Sequence, residues 1–158
     1  MVALGARLDG SDYSAEMSNP LDQFSPRLSL SWSLDEKWSL NANTGRYFQI
    51  PAYTILGYGN KNDGLINRRN KVTYIRADHL VGGVQYNPDA SSKISLEGFY
   101  KKYDRYPFSL SDSISLANLC SDFGVVGNEA VVSISKGRAY GSELLMQRRS
   151  PDGIYGIL

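Results

Sequence analysis

Few side chains in this sequence could make or break a covalent bond, and their spacing argues that none does. The only histidine, His79, follows Asp78 directly. Neighbours on an extended strand point to opposite faces, so the two do not form a proton-relay pair. Cys120 is the only cysteine, which excludes an internal disulfide and a cysteine metal site. There is no G-x-S-x-G turn and no metal-ligand spacing. The stretch "GYGNKNDG" is glycine-rich but opens no strand-to-helix unit, so it reads as a flexible loop rather than a phosphate cradle. The sequence therefore points to a protein that is not an enzyme and needs no cofactor and no metal.

Binding chemistry is better represented. Tyr47, Gln49, Tyr53, Tyr58, Asn60, Asn62 and Asp63 lie close together along the chain. Phenol rings, amides and a carboxylate suit a small solute such as a sugar or a peptide, because each ring offers apolar area with one polar tip. Eleven tyrosines in 158 residues, with abundant Gly and Ser, suit strands and interfaces better than a helical core. The formal net charge is +1 at pH 7, with acids and bases interspersed. No basic patch marks a nucleic-acid partner.

These residues need elements to hold them, and the clearest is "LSLSWSLDEKWSLNANTG". Leu28, Leu30, Trp32 and Leu34 alternate with Ser29, Ser31 and Ser33. After Asp35-Glu36-Lys37 the alternation restarts, with Trp38, Leu40 and Ala42 against Ser39, Asn41 and Asn43. Period two means strands, and the short polar break makes a hairpin. The same reading gives seven strands, near 2–9, 25–34, 38–49, 76–87, 93–104, 138–149 and 154–158. Apolar residues such as Ile94, Leu96, Tyr100 and Leu144 share one face. Arg7, Arg27, Asn41, Asn43, Glu97, Lys101 and Glu143 share the other and would face a wet lumen. The charged members could bind another domain, line the lumen or pair with one another, and pairing across the wall is the expectation.

Long and short connections alternate without exception. Residues 10–24, 50–72 and 105–137 form long loops, and "DEK", "PDASS" and "SPDG" form short turns. In an up-and-down meander all long loops then lie at one end. Outer-membrane barrels are built this way, with short periplasmic turns, longer extracellular loops and strands of about ten residues. Aromatic residues mark both ends of the apolar face. Trp32, Trp38, Tyr86 and Tyr155 sit beside the short turns, and Tyr100 and Tyr140 sit toward the loops. Two such rings match the interfacial girdles of a barrel in lipid. The expectation is an all-β antiparallel meander forming part of a transmembrane barrel wall. Strands at both termini suggest that residues 1–158 are one piece of a longer chain. A soluble β-sandwich acting as a carbohydrate-binding module would also alternate, with its apolar face inward. An outer-membrane enzyme is a third class, without a catalytic set to support it.

The segment "FSPRLSLSWSLDEKWSLNANTGRYFQIPAY" resembles barrel strands of TonB-dependent outer-membrane receptors. In that family a Pro-Arg opens a descending strand, and the ascending one ends in Gly, Arg and aromatics before a Pro. Here these are Pro26, Arg27, Gly45, Arg46, Tyr47, Phe48 and Pro51. "YIRADHLVGGVQYNPDASSKISLEGFYKKYDRYPF" is similar to the family's next hairpin through Gly83 and Phe99-Tyr100, though the usual acidic residue before the Gly is missing. "GRAYGSELLMQRR" resembles its Gly-x-Glu strand through Gly141 and Glu143. The wording is closest to Bacteroidetes-type receptors, the broad group that includes SusC-like importers. The resemblance implies a Gram-negative outer-membrane barrel of about 22 strands that imports siderophores, cobalamin, glycans or peptides. It also implies the partners: outer-membrane lipid, a plug domain, the TonB–ExbB–ExbD complex and a surface lipoprotein. The plug and the TonB-contacting segment have no counterpart in these residues.

Overall fold

Residues 1–62, 64–119, 126–149 and 155–157 are described by the computed structural model. The chain runs through β1 (Val2–Arg7), β2 (Ser25–Ser33), β3 (Trp38–Gln49), a miniature hairpin of β4 (Gly59–Asn60) and β5 (Gly64–Leu65), then β6 (Ile75–Asp89), β7 (Ser92–Ser109), β8 (Val131–Arg149) and β9 (Tyr155–Ile157). All but β4 and β5 form one sheet in the order β1-β2-β3-β6-β7-β8-β9, every pair antiparallel. This is the expected meander. The sheet is open, with β1 and β9 at its two edges.

Register follows the alternation. Leu4, Leu28, Thr44, Leu80, Tyr100 and Tyr140 form one continuous rung, and Trp32, Leu40, Val84, Leu96 and Leu144 form another on the same face. Among the described residues nothing packs over this face. Leu28, Leu30, Leu40, Leu96 and Leu144 keep 39–55% of their surface exposed. A sandwich needs a second sheet over its apolar side. The only other sheet among the described residues is the β4–β5 hairpin.

Two short turns close on aspartates. Asp35 Oδ1 accepts the backbone N–H of Lys37 and of Trp38, both at 2.7 Å. Asp89 Oδ1 accepts the Ser91 N–H at 2.7 Å, across the tight turn that pairs Asp89 with Ser92. A carboxylate that satisfies turn amides specifies the reversal locally. The "SPDG" turn lies outside the described residues.

The long connections depart from expectation in one place. Residues 105–137 read as loop, but β7 continues to Ser109 and β8 begins at Val131. The hairpin is interrupted by register shifts between Tyr103 and Pro107, and Arg105 sits at φ 57. A bulge changes which residues share a face, so the alternation lost its phase where the strand did not stop.

The connections also hold the chain's core. Met17 of a helical turn, α1 (Ala15–Ser18), packs with Phe48 and Tyr74. Ile55 and Leu56 of α2 (Tyr53–Leu56) pack with Val72, Leu116 and Val131. Tyr13 and Ile50 touch both clusters. Beside them α3 (Ile66–Arg69) supplies Asn67, fully buried. Asn67 Nδ2 donates to the carbonyls of Ile55 (2.7 Å) and Glu129 (2.9 Å), and its Oδ1 accepts the Val131 N–H (2.8 Å). Leu116–Asn118 form a 3-10 turn, and Cys120 lies outside the described residues.

Candidate functional site

The polar face carries a ladder of stacked side chains toward its loop end. The Arg27 guanidinium lies 4.6 Å from the Tyr47 ring centroid. Tyr47 and His79 have centroids 4.6 Å apart, and His79 meets Tyr103 edge-on at 6.5 Å. The register explains the convergence. Arg27 is opposite Gly45, Gly45 opposite His79, and Tyr47 shares a rung with Ala77 and Tyr103. Gly45 is what lets them meet. A Cβ there would stand 3.2 Å from both Arg27 Cγ and Tyr47 Cε2. Asp78 and His79 face apart as expected, Asp78 pairing with Arg46 on the apolar side.

Above the ladder is a pocket of about 490 Å³ lined by Gln49, Tyr103, Tyr106, Ser115, Asn118 and Lys136, among others. Tyr103, Tyr106, Ser115 and Asn118 were not singled out from sequence. Tyr103 was within reach, because it continues the parity of Glu97 and Lys101. Tyr106 lies past the bulge, and Ser115 and Asn118 come from a loop whose fold only nonlocal contacts decide.

The sequence-predicted binding residues separate into two places. Tyr47 and Gln49 lie on the polar face of the sheet. Tyr53 is 80% exposed on α2, Tyr58 is half-buried, and Asn60 is exposed in the miniature hairpin. These three do not line the Gln49 pocket. Asn62 donates its backbone N–H to Asn60 Oδ1 at 3.0 Å. Asp63 lies outside the described residues.

Farther from the loops, the polar face is organised by glycines. The Phe99 ring lies against Gly141, where a Cβ would be 2.9 Å from its Cζ. Lys101 Nζ sits 4.9 Å from the Phe99 centroid. Glu97 leans over Gly83 and is directly opposite Glu143 on β8. Asn41 shares that rung through Gly83, and Asn43 is one polar-face rung closer to the loops. The expected pairing among these charges is replaced by other contacts. Arg27 and Lys101 stack on rings, while Arg7 reaches Asp9 (2.8 Å) and the Phe48 carbonyl (2.9 Å). The arrangement can hold rings and hydroxyl or amide groups, and it offers two adjacent carboxylates to a cation.

The apolar face is banded. Trp38 and Tyr86 stack at 4.4 Å near the short turns, with Trp32 exposed beside them. Tyr100 and Tyr140 are exposed on a rung toward the loops. Tyr155 begins β9, and its side chain lies outside the described ones. On β8 the outward residues between Arg138 and Arg148 are Tyr140, Ser142, Leu144 and Met146. Ten residues at ~3.4 Å each, tilted by 35–45°, rise about 25 Å, the height of the apolar band of a barrel in an outer membrane.

No curated protein matches the sequence. The family model "TonB dependent receptor-like, beta-barrel" matches residues 1–156. Members of this family are outer-membrane receptors and transporters of Gram-negative bacteria, not enzymes, and work with a plug domain and TonB. With nearly every residue matched, and with a meander whose apolar face is bare and banded, the chain belongs to the TonB-dependent receptor β-barrel family.

Proposed function

We propose that this chain is a stretch of barrel wall from a Bacteroidetes-type, SusC-like importer, and that its lumen face helps capture the imported solute at the extracellular mouth. The observation that carries this reading is the Arg27–Tyr47–His79–Tyr103 ladder leading to the pocket of Gln49, Tyr106 and Asn118. Stacked rings below and amides above suit a glycan or a peptide better than an apolar solute, because they combine ring faces with hydrogen-bonding tips. The adjacent Glu97 and Glu143 fit a cationic partner group on the plug, since two carboxylates at one rung repel each other until a cation is shared. TonB–ExbB–ExbD acts through the plug, and a surface lipoprotein would meet the loops.

The test is solute affinity in the intact receptor for Tyr47→Ala and Tyr53→Ala. An anchor costs about 2 kcal/mol or more on truncation, and a bystander under ~1 kcal/mol. Tyr47→Ala is expected to weaken binding by about thirtyfold. Tyr53, out in solvent, shows a comparable loss only if the bound solute reaches the loops. Unchanged affinity in both variants, with normal membrane insertion, would move the site to the plug or to other parts of the wall.

A further inference from the structure

Three successive rungs of the lumen face, near its loop end, carry no carboxylate. The middle rung runs Arg27, Gly45, His79, Lys101 and Ala139. The rung toward the loops holds Tyr47 and Tyr103, and the rung away from them holds Asn43 and Phe99. Arg27 and Lys101 have no carboxylate partner among the described residues, and both rest on ring faces instead. Arg27 Nε is shielded from solvent and meets no acceptor among the described residues. Carboxylates at the loop end are already occupied, Asp9 by Arg7 at 2.8 Å and Asp104 by Arg76 at 2.7 Å. The Gln49 pocket above is lined by no carboxylate.

The rung is therefore positive toward whatever enters the mouth. Glu97 and Glu143 lie two lumen rungs farther from the loops. That is about 14 Å along the strand from Lys101, beyond the ~8 Å over which exposed charges act at physiological ionic strength. They do not neutralise it. Stacking occupies the face of the Arg27 guanidinium and leaves its in-plane N–H donors to an acceptor from outside the wall.

Arg27 and Lys101 stand three strand spacings apart, about 14 Å across the sheet. The Tyr47 and His79 rings lie between them. An extended solute lying across the strands meets a cation at each end and ring faces in the middle. Anionic oxygens take charge-assisted hydrogen bonds from both cations, and the apolar faces of sugar rings cover the aromatic ones. We infer that the imported solute is an acidic oligosaccharide, its carboxylate or sulfate groups at Arg27 and Lys101 and its sugar rings on Tyr47 and His79. This names the class of solute and rests on the reading of this face as the capture site.

The experiment screens the intact receptor, plug included, against an array of neutral, uronate-bearing and sulfated oligosaccharides and acidic peptides. Acidic oligosaccharides are expected to be retained. The tightest is then titrated beside its carboxyl-reduced or desulfated counterpart, and it should bind about tenfold more tightly. The double variant Arg27→Gln/Lys101→Gln should level the two affinities, and Arg27→Lys, which keeps the charge, should keep the preference. Equal affinity for the two in the unsubstituted receptor overturns the proposal with no variant needed and leaves the two cations to the plug. Preferential retention of neutral oligosaccharides or of acidic peptides overturns it too, as does retention of nothing on the array. Tyr47→Ala separates this failure from failure of the capture reading. If Tyr47→Ala weakens the bound solute while Arg27→Gln/Lys101→Gln leaves it unchanged, the capture site stands and its anion is refuted. If neither variant matters, both readings fall.

Discussion

Leu96 and Val131 lie on the same hairpin, β7–β8, yet Leu96 is 50% exposed and Val131 has no exposed surface. The difference is one of solvent. Below the rung of Arg46, Asp78, Lys102 and Arg138 the outward neighbour is lipid, and an apolar side chain there needs no protein over it. Above that rung the neighbour is water. Apolar residues there must find protein partners, and Met17, Ile55, Leu56, Val72, Leu116 and Val131 do so across three loops. The wall is thus held by its hydrogen-bonded ladder and the bilayer, and the loop cap by a small core of its own. Each fully buried cap side chain contributes about 1.5–3 kcal/mol.

The sharpest way to break that comparison is to open the cap alone. Asn67→Ala would strip hydrogen bonds from the Ile55 and Glu129 carbonyls and the Val131 N–H. Each buried group left unsatisfied costs about 1–3 kcal/mol, so the cap should lose about 3 kcal/mol or more. Limited proteolysis of intact cells should then cut within residues 50–72, while the barrel keeps its heat-modifiable mobility on gels. Loss of the barrel itself would show that cap and wall form one cooperative unit.

A second test exploits matched exposure. Leu96 in the wall and Leu110 just beyond β7 are both 50% exposed. Arginine on a lipid face near mid-depth costs about 2 kcal/mol or more, whereas an exposed substitution in water falls within ~0.5 kcal/mol. Leu96→Arg should reduce the folded, membrane-inserted fraction, and Leu110→Arg should not. Equal effects would mean that the two sites share a solvent.

The same division decides what the sequence could disclose. In the wall each side chain's face follows from parity, so Trp38, Leu40, Glu97 and Tyr100 fall on the faces expected from their neighbours alone. The rungs then follow from three short connections. The ladder was partly legible, because Tyr47 and Arg27 share a face by parity. That Arg27 stacks on Tyr47 instead of pairing with a carboxylate depends on the space above Gly45, two strands considered together. In the cap, Val131 meets Ile55 and Leu116 across long sequence separations, and no periodicity encodes such contacts. Asn67 carried no signal at all, since a buried amide looks like a loop amide until its three partners are placed around it.

A third, smaller effect tests the lumen side of the wall. Gly45→Ala would place a Cβ 3.2 Å from Arg27 Cγ and Tyr47 Cε2 and force the two apart. Losing an exposed cation–π contact costs about 0.5–1 kcal/mol. Solute affinity should fall by about threefold, less than for Tyr47→Ala, with barrel stability nearly unchanged. Full affinity in Gly45→Ala would show that the solute does not read the stacked geometry.

The smallest expected effect separates the two regions by pH. In the cap, burial raises the Tyr13 phenol above its usual value of 10.0, partly offset by Arg68, and its hydroxyl donates to the Leu56 carbonyl at 2.9 Å. The folded cap favours the neutral phenol. Its contribution is therefore present below pH 10 and is lost as pH rises through the raised value. In the wall's β6–β7 turn, Asp89 is held below its usual 3.8, first by the Ser91 N–H and then by the Ser92 hydroxyl. That contribution is present above pH 3.8 and is lost as pH falls through the lowered value. Alkali above pH 10 should loosen the cap and leave the turn intact, and acid below pH 3.8 should do the reverse. Proteolytic nicking across a pH series, read separately at residues 50–72 and at residues 88–92, follows both. Tyr13→Phe removes the ionisable group but keeps the ring between the two clusters, so it should flatten the alkaline limb of the cap. An alkaline limb that persists with Phe at position 13 would assign cap opening to another group and leave Tyr13 as packing alone.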